Sequence, residues 1–132
     1  MIVLDASAVI DLLLNTLPAP RVAQRIAAER TGIVAPYLLD AEVGQVLRRF
    51  SLAGEISTQR ARAALADYAQ LPITRYPHLP LLERAFALRA NTTFYDALYL
   101  ALAEVVGAPL VTCDKGLAQV PGTKATVEVL AR

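Results

Sequence analysis

The sequence predicts an α/β sandwich: a mainly parallel sheet of about five short strands covered on both faces by helices, giving three layers, α/β/α. Three observations carry this. The strand-like segments are continuous apolar runs rather than alternating ones, as expected of strands buried on both faces. Helical stretches separate them one after another, the order that builds parallel sheets. Finally, 132 residues suffice for one core but not for two joined by a linker. No internal repeat or low-complexity stretch divides the chain, so residues 1–132 read as a single domain.

Met1 to Asp5 forms the first strand, an apolar run that ends in an acid. Ser7 offers an N-cap for a helix from about Ala8 to Leu14. Pro18 and Pro20 mark the next helix start, and Gly32 stops it after Arg21 to Arg30. Gly32 to Pro36 is a minimal second strand, with Pro36 suited to the first turn of a long helix. That helix carries Val43, Val46, Leu47 and Phe50 at three- and four-residue spacing, and Gly54 closes it. Ser57 opens an Ala-rich helix through Gln70, Pro72 breaks it, and Ile73 to Tyr76 is a weak strand. Leu79 to Ala90 is helical, entered near Pro80. Thr93 and Asp96 have capping-box spacing before an apolar helix over Ala97 to Val106, which Gly107 ends. Pro109 to Cys113 is the clearest later strand, again ending in an acid, Asp114. A turn or short helix over Lys115 to Gln119 and the pair Pro121-Gly122 lead to a last strand near Thr126 to Leu130.

Composition removes several classes of function. Hydrophobic types make up 55% of the chain, which argues against disorder. The longest stretch free of Asp, Glu, Lys and Arg is nine residues, against roughly twenty for a membrane span. The N-terminus lacks the basic flank of a signal peptide, so a cytoplasmic protein without membrane contact is expected. Cys113 is the only cysteine, which fits a reducing compartment, and with one histidine no Cys/His zinc site can form. Thirteen basic residues against twelve acidic ones exclude a nonspecific polycation. Eleven of the thirteen are Arg, so any basic patch favours forked phosphate contacts.

The positions of the twelve acids are informative. Glu29, Glu55, Asp67, Glu83 and Glu128 read as solvated-face residues. Asp5 and Asp114 instead stand at strand ends, Asp96 in the first turn of a helix, and Glu42 early in the helix that follows the second strand. Each has a plain alternative: Asp5 and Asp114 as turn formers, Asp96 as a cap partner, Glu42 facing water. If the strands ending in Asp5 and Asp114 are neighbours, the four gather at the carboxyl edge of the sheet, where open α/β folds bind ligands. Two unit charges about 4 Å apart repel by roughly 4 kcal/mol at an effective protein dielectric, and a divalent cation relieves that most cheaply. An all-oxygen donor set selects Mg²⁺ or Mn²⁺ and suits phosphodiester hydrolysis by metal-activated water. Asp40 lies about 200° around the helix from Glu42 and cannot share its face. Asp11, one turn beyond Ser7, is read as peripheral.

Four segments carry a resemblance. They are Val3-Leu4-Asp5-Ala6-Ser7-Ala8, Glu42-Val43-x-x-Val46-Leu47-Arg48-Arg49, the run from Tyr95-Asp96-Ala97-Leu98-Tyr99 through Ala103, and Leu110-Val111-Thr112-Cys113-Asp114. In this order they resemble the PIN-domain ribonucleases, and within them the VapC toxins of toxin–antitoxin pairs. The resemblance spans nearly the whole chain. It implies an α/β/α fold, a Mg²⁺- or Mn²⁺-dependent endoribonuclease toxin of a type II pair, an RNA substrate, a VapB-like antitoxin and a homodimer. The family's acidic quartet falls on Asp5, Glu42, Asp96 and Asp114, as metal-holding catalytic residues, with Ser7 and Thr112 supporting the first and last acids. Some members carry a further acid shortly after the last; Gly116, Leu117 and Ala118 supply none.

Other readings fare less well. A haloacid-dehalogenase-like phosphatase needs a second Asp where Ser7 stands, a receiver domain needs an Asp where Tyr76-Pro77 stands, and a P-loop enzyme needs a Gly-rich first turn. The rival from another class is a catalytically silent PIN-like module that binds RNA or protein. Arg48, Arg49, Arg84, Arg89 and Lys115 read equally as the border of an RNA channel or as solvated helix faces. Tyr95 and Tyr99 are candidates for base stacking, with core packing the preferred reading of Tyr99; His78 is incidental and Cys113 is a buried strand residue.

Overall fold

A computed structural model describes residues 1–130. Its five strands are β1 (Ile2–Leu4), β2 (Ile33–Pro36), β3 (Ile73–Tyr76), β4 (Leu110–Thr112) and β5 (Val127–Val129). They form one sheet in the order β3-β2-β1-β4-β5, and every neighbouring pair is parallel. Six helices flank it: α1 (Ala6–Leu13), α2 (Ala19–Ala27), α3 (Leu38–Leu52), α4 (Thr58–Gln70), α5 (Leu82–Ala87) and α6 (Phe94–Val106). The three-layer α/β/α sandwich is therefore the architecture, with a five-stranded sheet.

The central strands β1, β2 and β4 are buried at every residue, which is why their sequences show no alternation. Helix α6 packs on β1, β2 and β4 and is covered in turn by α5. Wedged in this way, it buries seven consecutive residues from Ala97 to Ala103, so its sequence is apolar all round rather than striped. Helices α1 and α3 pack against β4 and β2 respectively and gather α2 and α4 around them. Truncating a fully buried leucine of this core, such as Leu100, is expected to cost about 2–5 kcal/mol. No helix among the described residues is long and apolar enough to cross a membrane.

Several boundaries differ from the sequence reading, each for a local reason. Helix α1 starts at Ala6 because Asp5, not Ser7, is its N-cap: the Asp5 carboxylate accepts from Ala8 N at 3.0 Å. Pro36 ends β2 instead of entering α3. Proline suits the end of a strand, where no ladder donor is needed. The segment after Pro77 is not one helix but a 3₁₀ turn, Leu79–Leu81, running into the short α5. Thr93 does cap α6, accepting from Asp96 N at 3.1 Å, but the helix begins at Phe94 rather than Ala97. Gly107 closes α6 in the left-handed conformation, φ +65°.

Candidate active site

Because β1 and β4 are parallel neighbours, the residues that follow them project over the same edge. Asp5 directly follows β1, and Asp114 follows β4 by two residues. Asp96 enters the same region on the first turn of α6, and Glu42 one turn into α3. The structure thus brings all four sequence-predicted acids to the carboxyl edge. None of the four carries an ion pair to Lys or Arg among the described residues.

Asp5 is the most enclosed, 5% exposed. Its Oδ1 accepts from Ser7 Oγ at 2.8 Å and Ala8 N at 3.0 Å, and its Oδ2 from Thr112 Oγ1 at 2.5 Å. Ser7 Oγ and Thr112 Oγ1 lie 3.1 Å apart. Each hydroxyl spends its only proton on Asp5 and receives a backbone N–H in return, Cys113 N on Ser7 and Asp114 N on Thr112. Two short side chains thereby tie the ends of β1 and β4 together and orient Asp5, the supporting part the resemblance implies. Burial nevertheless outweighs the three donors and lifts the Asp5 carboxyl to about 6, with Asp96 adding to the rise. Asp96 is also raised, first by burial, then by the charges of Asp114 and Glu42. Like charges facing one another are part of the electrostatic signature of this edge.

Glu42 is held from the opposite helix layer: Tyr99, 1% exposed, donates its hydroxyl to Glu42 Oε1 at 2.6 Å. The sequence favours core packing for Tyr99 over base stacking and does not indicate this contact. The position of Tyr99 three residues after Asp96, on the same helix face, was the available signal. Asp114 is exposed and turned onto its own loop, accepting from Gly116 N at 2.8 Å. A Cβ on Gly116 would stand 3.2 Å from that carboxylate oxygen, so the residue gives Asp114 room.

The donor set fits a hard divalent cation: four carboxylates, no sulfur or imidazole, and mutual repulsion for the cation to relieve. Among the described residues, however, no three His, Cys, Asp or Glu side chains are grouped closely enough to hold an ion as they stand. Ligation therefore needs side-chain rotation, for which exposed Asp114 is free, or bridging waters.

The rival acids are engaged elsewhere. Asp40 accepts from Arg75 Nε at 2.9 Å and from the Tyr68 hydroxyl. Asp11 accepts from Thr16 Oγ1 at 2.7 Å. The Cys113 thiol donates to the Leu130 carbonyl at 3.7 Å, and burial, with the Asp11 carboxylate adding to it, pushes the thiol up to about 12; Cys113 lies just past β4 and is half-buried rather than within the strand. His78 is not incidental: its Nε2 accepts from Leu38 N at 2.9 Å and caps α3 from another loop. Among the basic residues, Arg84 is committed to Glu104 at 2.7 Å and Arg89 rests on the Phe86 ring. Arg48, Arg49 and Lys115 are exposed. Arg49 and Gln45, with Tyr95 across from them, rim a groove of about 290 Å³ floored by Leu38, Ala41 and Val46 and bounded by Glu42 itself.

Known proteins resemble the chain in sequence and in fold. The family model described as PIN domain matches residues 2–123. Ribonuclease VapC1 of Mycobacterium tuberculosis is 46% identical over 129 residues, covering 97% of this chain and 96% of the relative. Ribonuclease VapC12 of the same organism is 40% identical over 131 residues, 99% of this chain and 100% of its own. In three dimensions, VapBC2 from Rickettsia felis, solved on a DNA fragment from their promoter, matches 98% of both chains with a TM-score of 0.71 at 16% identity, a likeness of fold. With identity of this order sustained from end to end, the chain belongs to the PIN-domain family, among the VapC ribonucleases.

Proposed function

We propose that the protein is an RNA-cleaving hydrolase, a metal-dependent endoribonuclease toxin whose site is Asp5, Glu42, Asp96 and Asp114. The observation that carries the reading is the convergence of four unpaired acids on one sheet edge, with Asp96 raised by Asp114 and Glu42. A bound Mg²⁺ or Mn²⁺ would neutralise these charges and activate a water for in-line attack on a phosphodiester. The chain's own residues prepare for this. Ser7 and Thr112 fix the direction of Asp5, Tyr99 that of Glu42, and Thr93 fixes the start of α6 and with it Asp96. With the 3′-oxygen as the leaving group, opposite the attacking water, the products would be a 5′-phosphate and a 3′-hydroxyl.

The whole chain acts as one domain in this reading, supported by a single continuous hydrophobic core. Its partners are RNA and a VapB-like antitoxin, as expected of the VapC family, and its place is the cytoplasm, where RNA is met. A homodimer belongs to the same proposal: Leu79, Leu82 and Phe86 are 80%, 38% and 56% exposed and form an uncovered apolar ridge. The silent-module alternative loses its main support, since none of the four acids is replaced or neutralised by a basic side chain.

The test incubates purified protein with cellular RNA in Mg²⁺, in Mn²⁺ and in EDTA, beside Asp5→Ala and Asp96→Ala. Cleavage in either metal, lost in EDTA and in both variants, is expected. Undiminished cutting in EDTA or in both variants would sink the mechanism.

A further inference from the structure

We propose that the groove beside Glu42 is a nucleobase subsite: it receives one unpaired base of the RNA strand flanking the scissile phosphate, stacked on Tyr95 and contacted along its edge by Gln45. The inference rests on the ribonuclease reading and deepens it. Position argues first. Glu42 bounds the groove and belongs to the acidic edge, and Tyr95 directly precedes Asp96. A strand whose phosphate lies over the acids can therefore place an adjoining nucleotide at this groove.

The lining is suited to a base. Tyr95 leaves 61% of its surface in water, an exposed ring of the kind on which single-stranded bases stack. Leu38, Ala41 and Val46 give an aliphatic floor. Gln45, exposed, offers both a donor and an acceptor, and no hydrogen bond within the described protein engages it. Glu42, Gln45 and Arg49 stand at i, i+3 and i+7 along one face of α3, so Arg49 lies about 10 Å from Glu42 along the axis. Arg49 makes no ion pair among the described residues. It can meet the next phosphate and offset the repulsion that RNA feels from the acids.

About 290 Å³ accommodates one planar base and its surroundings. A docked peptide helix would need a longer row of apolar anchor sites than these three floor residues supply. RNA is thus favoured over a protein segment.

The experiment compares wild type, Tyr95→Ala, Tyr95→Phe and Gln45→Ala on short single-stranded RNA of random sequence. Steady-state cleavage in Mg²⁺ is followed with sequencing of the cut ends, and binding is followed by fluorescence anisotropy in an Asp96→Ala background. Tyr95→Ala is expected to raise KM and weaken binding about tenfold with less change in kcat, and Tyr95→Phe to rescue both. Gln45→Ala should flatten the base preference at one position beside the cut. Melting temperatures should stay together, since both side chains are exposed. Unchanged KM and cut pattern in Tyr95→Ala overturns the subsite. RNA kinetics left intact while inhibition by added antitoxin weakens would give the groove to a protein partner and also overturn it. A wild type that neither cuts nor binds the RNA removes the ribonuclease reading itself, a failure visible before any variant is compared.

Discussion

At the amino end of the sheet, Glu29 accepts from the Met1 ammonium and from Arg25 at 3.0 Å, while Glu104 is clasped by Arg84 at 2.7 and 3.1 Å and by Thr123 and the Lys124 amide. Hydrogen bonds from the ammonium and from Arg84 are the main reasons both carboxyls fall to about 2. At the carboxyl end, Asp5 is lifted to about 6 and Asp96 is raised too, and neither pairs with a Lys or Arg among the described residues. The same chemical group is used in opposite ways. Paired acids fasten the chain to itself; the acids of the carboxyl end carry charge that no Lys or Arg among the described residues offsets. The difference also corrects the reading of Glu29 and Glu128 as merely solvated, since Arg25 joins both.

The largest expected effect follows from titrating the two ends together. Glu29 and Glu104, held below their ordinary 4.5, contribute stability present above that value and lost as pH falls through about 2. Asp5, raised from 3.8 to about 6, does the reverse: its contribution is present below 3.8 and lost as pH rises through 6. The Asp5 loss amounts to about 3 kcal/mol by linkage. Urea unfolding in EDTA should therefore show a stability maximum near about pH 4–5, and Mg²⁺ at neutral pH should restore much of the decline. A decline indifferent to Mg²⁺ would erase the contrast between the ends.

Next in size, Arg84→Ala should cost about 2 kcal/mol at neutral pH, because Glu104 keeps its charge and loses its main partner. Cleavage per folded molecule should be unaffected; a drop would place the amino end in the function. Tyr99→Phe tests the other end. Removing the hydroxyl frees Glu42 and should weaken Mn²⁺ binding about tenfold by calorimetry while the buried ring keeps the fold intact. An unaltered Mn²⁺ affinity would make Tyr99 a core residue alone.

The contrast was half legible in the sequence. Asp5 and Asp114 each follow an apolar run, and Asp96 follows Thr93 at capping distance, so strand ends and helix starts located three acids by local rules. The choice between Asp5 and Ser7 as the cap of α1 was not local: both can cap, and the decision falls on where β1 stops pairing with β4. Contacts that set each acid's state join distant segments, Tyr99 to Glu42 across 57 positions, Arg84 to Glu104 across 20 and Thr112 to Asp5 across 107. Helical periodicity could not reveal the 3₁₀ entry to α5 either, since it depends on how Leu81 is buried where the turn meets α6.

His78 sharpens the comparison because it stands near the carboxyl end yet behaves like the fastenings of the amino end. Its Nε2 accepts from Leu38 N, one of the donors that the first turn of α3 cannot satisfy internally, and Tyr37 supplies no side-chain cap. Accepting at Nε2 requires the neutral ring with its proton on Nδ1. His78→Ala removes that acceptor and should cost about 1 kcal/mol, the usual worth of an N-cap, read by urea unfolding. Glu42 sits one turn further along α3 and is anchored independently by Tyr99, so Mn²⁺ affinity should change little. Lost Mn²⁺ affinity at unchanged stability would mean that the cap positions Glu42, and the line between fastening and functional groups would have to be redrawn through α3.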